Sequence, residues 1–334
     1  MINLKNDYNT IGDKKILEEL LKYSDLKFVG YGEDTKTKEL NEYIKKLCNK
    51  DVDTYVLAGG TITNVIGLNK MLLNPYDAII TVSSSHINVH ETGAIESTGH
   101  KIIYTPNING KIDIDKIEET YKKFVDNHMV MPKALYLSNA TELGETYSIK
   151  ELKEISNICK KLNLYFFIDG ARLPQALVSE GYKIGDIASL CDMFYIGGTK
   201  LGLPYGELLI IVNDELKTNF KYLIKNKLGM LAKGFVGAIM FLAYLKDDYY
   251  LSLARNSINM ANILREELKD YLIYPNKTNQ VFIKLSQDKV DKLGKYVEFE
   301  IWEINNDYTV IRLVSSFNTK LEEITETVKI IKSL

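Results

Sequence analysis

Cysteine is scarce in this sequence: Cys48, Cys159 and Cys191 are the only three in 334 residues. An odd count, wide spacing and apolar flanks exclude a disulfide framework, and no CxxC pair is present to bind zinc or run redox chemistry. The three read as reduced, buried thiols. Proline is also sparse, six in all and never clustered, so no proline-rich linker marks a boundary. An excess of one charge is missing too: 42 Lys and Arg against 44 Asp and Glu leave a net charge of −2, with the basic residues scattered. That balance excludes a general electrostatic pull toward nucleic acid or an anionic membrane. No apolar run approaches the roughly 20 residues that cross a bilayer. The opening MINLKNDYNTIGDKK lacks the apolar centre of a signal peptide, so the chain reads as cytoplasmic.

What is present is the balance of an ordinary globular protein, 46% hydrophobic and 26% charged, in a chain long enough for one large α/β domain and a smaller one. Between 51 and 212, short β-branched runs alternate with longer helical patterns. The spacing predicts strands at Thr54–Leu57, Ala78–Val82, Lys101–Tyr104, Ala134–Ser138, Leu164–Ile168, Met193–Ile196 and Glu207–Val212. Helices are expected at Thr63–Leu72, Ile114–Asn127, Ile149–Leu162 and, as a short turn, Pro174–Ser179. Strand and helix in succession imply an α/β fold with a mostly parallel sheet and helices on both faces.

After Val212 the pattern changes. Residues 225–270 are nearly all helix-compatible, and LGMLAKGFVGAIMFLAYL (228–245) reads as one apolar helix, of the core in preference to a subunit interface. VFIKL, YVEFEIWEI and YTVIRLVSS follow as strands, closed by an amphipathic helix, LEEITETVKIIKSL. The expected division is an N-terminal segment 1–30, a large α/β domain 31–245 and a small C-terminal α+β domain 246–334.

In such sheets ligands bind at the carboxyl ends of the strands, and the sequence is unusual at each of those ends. AGGTITN (58–64) puts Gly59, Gly60 and Thr61 where a helix begins; free N–H groups and little bulk suit a phosphate, and a plain tight turn fits equally well. SSSHINVHETGA follows Val82 and carries His86, His90 and Glu91. Residues four apart can share a metal, yet the remaining ligands of a zinc site are missing. His86 is then either an ordinary histidine or a ring stacked on a planar cofactor. The apolar run YFFI ends in Asp169-Gly170-Ala171-Arg172, where a buried carboxylate needs a cation: Arg172 itself or a protonated ring nitrogen. FYIGGTKLGLPYGE (194–207) presents Lys200 after two glycines, either as a solvated amine or as one that forms an imine. A lysine amine, an aspartate, a Gly/Thr turn and a ring to stack are, as a set, the parts of a pyridoxal phosphate site.

On these segments the chain resembles the threonine aldolase family of pyridoxal-phosphate enzymes, within the aspartate-aminotransferase-like superfamily of fold type I. YGEDTKTKELNEYIKKL (31–47) is similar to the family's YGDD segment, AGGTITN to its phosphate turn and SSSHINVHETGA to its histidine segment. LSNATELGETYSIKELKEISNICKKLNLYFFIDGARL (137–173) resembles the stretch that leads into DGAR, and GGTK its lysine segment. YTVIRLVSS (308–316) resembles the segment with the carboxylate-binding arginine.

The resemblance implies that Lys200 bonds the cofactor, Asp169 pairs with the pyridine nitrogen, His86 stacks on the ring, and Gly60 and Thr61 hold the phosphate. Arg172, beside the cofactor, and Arg312 would take the substrate carboxylate, with Thr10 of NDYNT a further substrate contact. The implied activity is retro-aldol cleavage of L-threonine or L-allo-threonine to glycine and an aldehyde, in a homodimer or homotetramer with its site at the subunit boundary. The alternatives are a β-eliminating lyase or aminotransferase on the same scaffold, or a non-catalytic α/β binding protein. One departure bears on mechanism. Many members carry a histidine, proposed as the base for the substrate hydroxyl, near the segment that here reads SNATE (138–142). Asn139, Ala140 and Thr141 leave His86 or a bound water for that task, or else a poor retro-aldol activity.

Overall fold

The computed structural model describes the whole chain, Met1–Leu334. Each strand expected between 51 and 212 is present: β1 (Asp53–Leu57), β2 (Asp77–Val82), β3 (Lys101–Thr105), β4 (Met131–Ser138), β5 (Tyr165–Asp169), β6 (Met193–Gly197) and β7 (Glu207–Ile211). They form one sheet in the order β1-β7-β6-β5-β4-β2-β3. β7 runs antiparallel to both its neighbours and the other pairings are parallel. Successive residues alternate between two cores. Ile80, Leu135, Phe166, Phe194 and Leu208 enter one, whereas Ile79, Tyr136, Phe167, Tyr195 and Leu209 enter the other. The sheet is therefore buried on both faces, which is why its strands read as near-continuous apolar runs.

α1 (Thr35–Cys48) and α3 (Ile149–Leu162) pack on the first face, α2 (Gly60–Met71) on the second. The span of α3 coincides with its sequence expectation because both ends are signalled locally. Ser148 and Glu151 close a capping box, and Asn163 ends the helix in the left-handed conformation. α4 (Leu173–Glu180) begins at the DGAR turn and carries proline in its first turn.

Two expected helices are shorter than their patterns. The one begun at Ile114 ends at Lys122, where Lys123 and Phe124 close tight i→i−3 bonds and the Asp126 carboxylate accepts from His128 N–H at 2.8 Å. In 228–245 only α5 (Gly234–Leu245) is helical. Residues 228–233 are held otherwise: Leu228 is left-handed at φ 63° and Ala232 C=O accepts from Tyr31 N–H at 3.0 Å. α5 itself is core, with Ala238, Met240, Phe241 and Tyr244 buried, whereas Leu228 stands exposed.

α6 (Tyr249–Glu267) leads to a second sheet, β8 (Gln280–Leu285), β9 (Glu300–Ile304) and β10 (Thr309–Val314), in antiparallel order β8-β10-β9 and closed by α7 (Leu321–Ser333). The chain's start joins this unit: Ile2–Asn3 pairs with Val297–Glu298, and Leu4 enters its core. No helix is long and apolar enough to cross a membrane.

Candidate active site

The carboxyl ends of β1, β2, β4, β5 and β6 converge on one edge of the large sheet. Because β7 is antiparallel, its first residue lies at that same edge, and Glu207 stands opposite both Leu57 and Gly197. The glycine turn after β1 and the lysine turn after β6 are thereby set on either side of one carboxylate. The DGAR and GGTK turns interlock: Gly197 N–H donates to Gly170 C=O at 2.9 Å. A Cβ on Gly170 would lie 1.7 Å from the Tyr195 carbonyl oxygen and one on Gly197 2.2 Å from that of Ala171. This close approach of backbones is the reason both motifs need glycine there.

Asp169 ends β5, on the face that Phe167 shares with Tyr136 and Tyr195. Its buried carboxylate accepts four hydrogen bonds. Oδ1 takes the Tyr195 hydroxyl and Ala171 N–H (3.0 Å); Oδ2 takes the Tyr136 hydroxyl and Asn64 Nδ2 (3.0 Å). Burial pushes its pKa up, but the charge of His86 and these donors outweigh burial and hold the group below its ordinary value. Arg172 is not its partner, contrary to one sequence expectation. The Arg172 guanidinium forms a two-pronged pair with Asp7, Nε to Oδ2 at 2.7 Å and Nη2 to Oδ1 at 3.0 Å, and Asn279 Nδ2 adds a third bond to Asp7 at 2.9 Å. Backbone direction decides this, since Arg172 already caps α4 and its side chain leaves toward the N-terminal segment.

Lys200 lies in the turn Thr199–Leu201 beyond β6 and makes no hydrogen bond or ion pair. Burial first, and the Arg172 charge second, push its pKa down against the pull of Asp7, Asp169 and Glu207. A lowered pKa leaves more of the amine neutral, the form that attacks a carbonyl. Glu207 Oε2 accepts Gly198 N–H at 3.0 Å, and burial pushes this carboxyl up to about 7.

His86 opens a short helix, His86–Val89, after β2. Its Nδ1 meets Glu91 Oε1 at 2.8 Å, and the same oxygen accepts Asn64 Nδ2 at 2.8 Å, so His86, Glu91, Asn64 and Asp169 form one chain of contacts. Glu91 is thus committed to His86 as a second-layer support, and His90 lies 5.5 Å from His86 between ring centroids. No three side chains that could hold a metal come together. The His86 main-chain N–H donates to Glu142 Oε1 at 2.8 Å, and Ser138 Oγ donates to the same oxygen at 2.6 Å.

Arg312 projects from the small sheet, its guanidinium centre 5.0 Å from the Trp302 ring centroid. Nη1 donates to Gln280 Oε1 at 3.3 Å, whereas the buried Nε has no partner. Burial and the Arg172 charge lower its pKa. Two guanidiniums within each other's field, one carrying an unsatisfied donor, suit an incoming carboxylate. Thr10 is exposed and makes no hydrogen bond; Asp7 of the same NDYNT segment is the residue turned inward.

The residues fit a pyridoxal phosphate. α2 starts at Gly60 with Gly59 as its cap and no side chain satisfying the first N–H groups, which leaves an anion cradle beside Thr61. A carboxylate held ionised suits a protonated ring nitrogen, and an unpartnered, half-buried amine suits an aldehyde. Sequence reasoning missed Asp7, Asn64, Tyr136, Glu142, Tyr195 and Glu207. All but Tyr136 lie inside segments already singled out, but their type alone gave no sign of which atom they serve.

Fold and strand-end constellation together define the class, the type I fold of pyridoxal-phosphate enzymes. Cystalysin from Treponema denticola, whose structure contains that cofactor, shares it with a TM-score of 0.70 at 17% identity, over 96% of this chain and 87% of that one. The chain belongs to the beta-eliminating lyase family, whose model matches residues 26–288. A threonine aldolase from Leishmania major superposes with a TM-score of 0.97 at 37% identity, over 100% of this chain and 99% of that one. The low specificity L-threonine aldolase of Pseudomonas aeruginosa is 29% identical over 89% of this chain and 87% of its own.

Proposed function

We propose that this chain is a pyridoxal-phosphate-dependent carbon–carbon lyase that cleaves β-hydroxy-α-amino acids, L-threonine and L-allo-threonine among them, to glycine and an aldehyde. The observation that carries the reading is an unpartnered, half-buried Lys200 next to a fully hydrogen-bonded Asp169 at adjoining strand ends. The likeness to threonine aldolases over nearly the whole chain gives the reaction.

Lys200 would hold the cofactor through Nζ, and the same amine is placed to accept or return a proton. Gly60 and Thr61 would bind the phosphate, Asp169 would hold the ring nitrogen's proton, and His86 would stack on the ring, its own orientation fixed by Glu91. Arg312 and Arg172 orient the substrate carboxylate, and that orientation decides which bond at Cα stands ready to break. When bound, the cofactor supplies an acceptor for the electron pair left at Cα.

Purified protein assayed with L-threonine, L-allo-threonine and phenylserine should release aldehyde and glycine. An α-keto acid without aldehyde would move the reading to an aminotransferase or a β-eliminating lyase.

The same reading includes a homodimer or homotetramer with the site at the subunit boundary. Val29, Tyr31 and Leu228 leave apolar side chains exposed where segment 30–32 meets 228–232, a surface suited to a second copy. Light scattering tests it. The change from parallel to antiparallel sheet supports a large unit 31–245 and a small one 246–334, whereas the start of segment 1–30 joins the small unit; three buried, unpaired cysteines suit the reducing cytoplasm.

A further inference from the structure

The carboxylates around the site differ in what remains free. Both oxygens of Asp169 and of Asp7 are engaged, and Glu91 spends Oε1 on His86 and Asn64 while its Oε2 is sealed away without a partner. Glu207 lies between the lysine and phosphate turns and spends Oε2 on the Gly198 N–H. Glu142 is different. Ser138 and the His86 main chain both donate to Oε1, which fixes the carboxyl plane, while Oε2 has no hydrogen-bond partner and is not sealed from solvent. Ser138 stands in register with Asp169 at the same sheet edge, so its bond and that of the His86 main chain anchor the Glu142 carboxyl between that strand end and the His86 turn.

We propose that Glu142 Oε2 is the base that takes the proton from the substrate's β-hydroxyl. The inference rests on the aldolase reading above. The O–H bond breaks as Oε2 gains the proton, a C=O bond forms at Cβ, and the Cα–Cβ bond breaks with its electron pair left on Cα. Reprotonation of Cα then gives glycine, and the other fragment leaves as the aldehyde. Burial raises the pKa of Glu142, and the Ser138 hydroxyl opposes it. A raised pKa makes the carboxylate a stronger base. Asp169, His86, Arg172, Tyr136 and Tyr147 are the titratable groups whose charges act on or feel this carboxyl.

Glu142→Gln keeps an acceptor at Oε1 and removes the base. In the holoenzyme it should lower kcat for L-threonine about 100-fold or more, the usual worth of a positioned base. Glycine should bind with its dissociation constant unchanged within about threefold, and L-threonine should be recovered intact from the variant's complex. Ser138→Ala removes a donor to the carboxylate, so it should move the acid limb of the kcat–pH profile to higher pH, and Glu142→Gln should abolish that limb. Wild-type activity with an unchanged Glu142→Gln profile would overturn the inference alone, as would full cleavage in Glu142→Gln together with loss in His86→Asn. A wild type that releases no aldehyde would overturn the aldolase reading and this inference together.

Discussion

Asp169 and Lys200 close neighbouring strands of one sheet, and the chain surrounds them in opposite ways. Around Asp169 four donors from β4, α2, β6 and the DGAR turn fill both oxygens, and the anion persists despite its burial. Around Lys200 no hydrogen bond or ion pair forms, and burial pushes its pKa down. The difference teaches which group is meant to stay and which to react. A saturated carboxylate is a fixed electrostatic floor, complete before any ligand arrives. An unpaired, half-buried amine stores reactivity, because the ion it would become is less well accommodated than in water.

The largest effect should come from the reactive half. Lys200→Ala should lower turnover by at least about 10³-fold and abolish the visible absorbance of protein incubated with pyridoxal phosphate. A coloured, active Lys200→Ala protein would erase the distinction between the two residues. Next comes the charge that shapes the lysine's surroundings. Asp7→Asn leaves Arg172 buried without its anion, and breaking such a pair is strongly destabilising, on the order of 3 kcal/mol. It should also raise the KM for L-threonine about tenfold more than it lowers kcat, because the freed guanidinium loses its fixed orientation. Denaturant unfolding and steady-state kinetics measure the two parts separately.

Glu207 sharpens the comparison through pH. Its carboxyl holds a proton up to about 7 in the folded protein against an ordinary 4.5, so the folded state binds that proton more tightly than the unfolded chain. The stability this contributes is complete below the ordinary value and is lost as pH rises through the folded one. Wild type should therefore lose stability relative to Glu207→Gln between about pH 4.5 and 7, by on the order of 2 kcal/mol, and run parallel to it above. Denaturant midpoints at pH 5 and pH 8 read this difference. The smallest effect should be at the saturated end. Tyr136→Phe removes one of four donors to Asp169 and should cost about 1 kcal/mol in stability, with less than about a tenfold loss in kcat. A loss as large as that of Lys200→Ala would mean that the floor is not redundant.

Much of this was legible in one dimension. The inner strands were visible because they are buried on both faces and so read as near-continuous apolar runs, and the two edge strands because they keep a β-branched stretch inside a partly exposed segment. The helix Ile149–Leu162 was visible because its cap and its terminator are adjacent in sequence. Patterns without such local stops misled, as at Lys122 and at 228–233, where an apolar composition continues after the helix has been replaced by turns and long-range contacts.

The sequence by itself determined the parts of the site and the edge on which they lie. A glycine turn, a carboxylate and a lysine must each follow a strand, and strand alternation sets the side on which they emerge. Only the tertiary structure decided the pairings. Asp7 reaches Arg172 across 165 positions, and Asn279 reaches Asp7 across 272. The antiparallel entry of β7 likewise brings Glu207 beside the lysine turn. Hydrogen bonds and ion pairs act over a few ångströms in space, whatever the distance along the chain, so no local pattern records them until the sheet has closed.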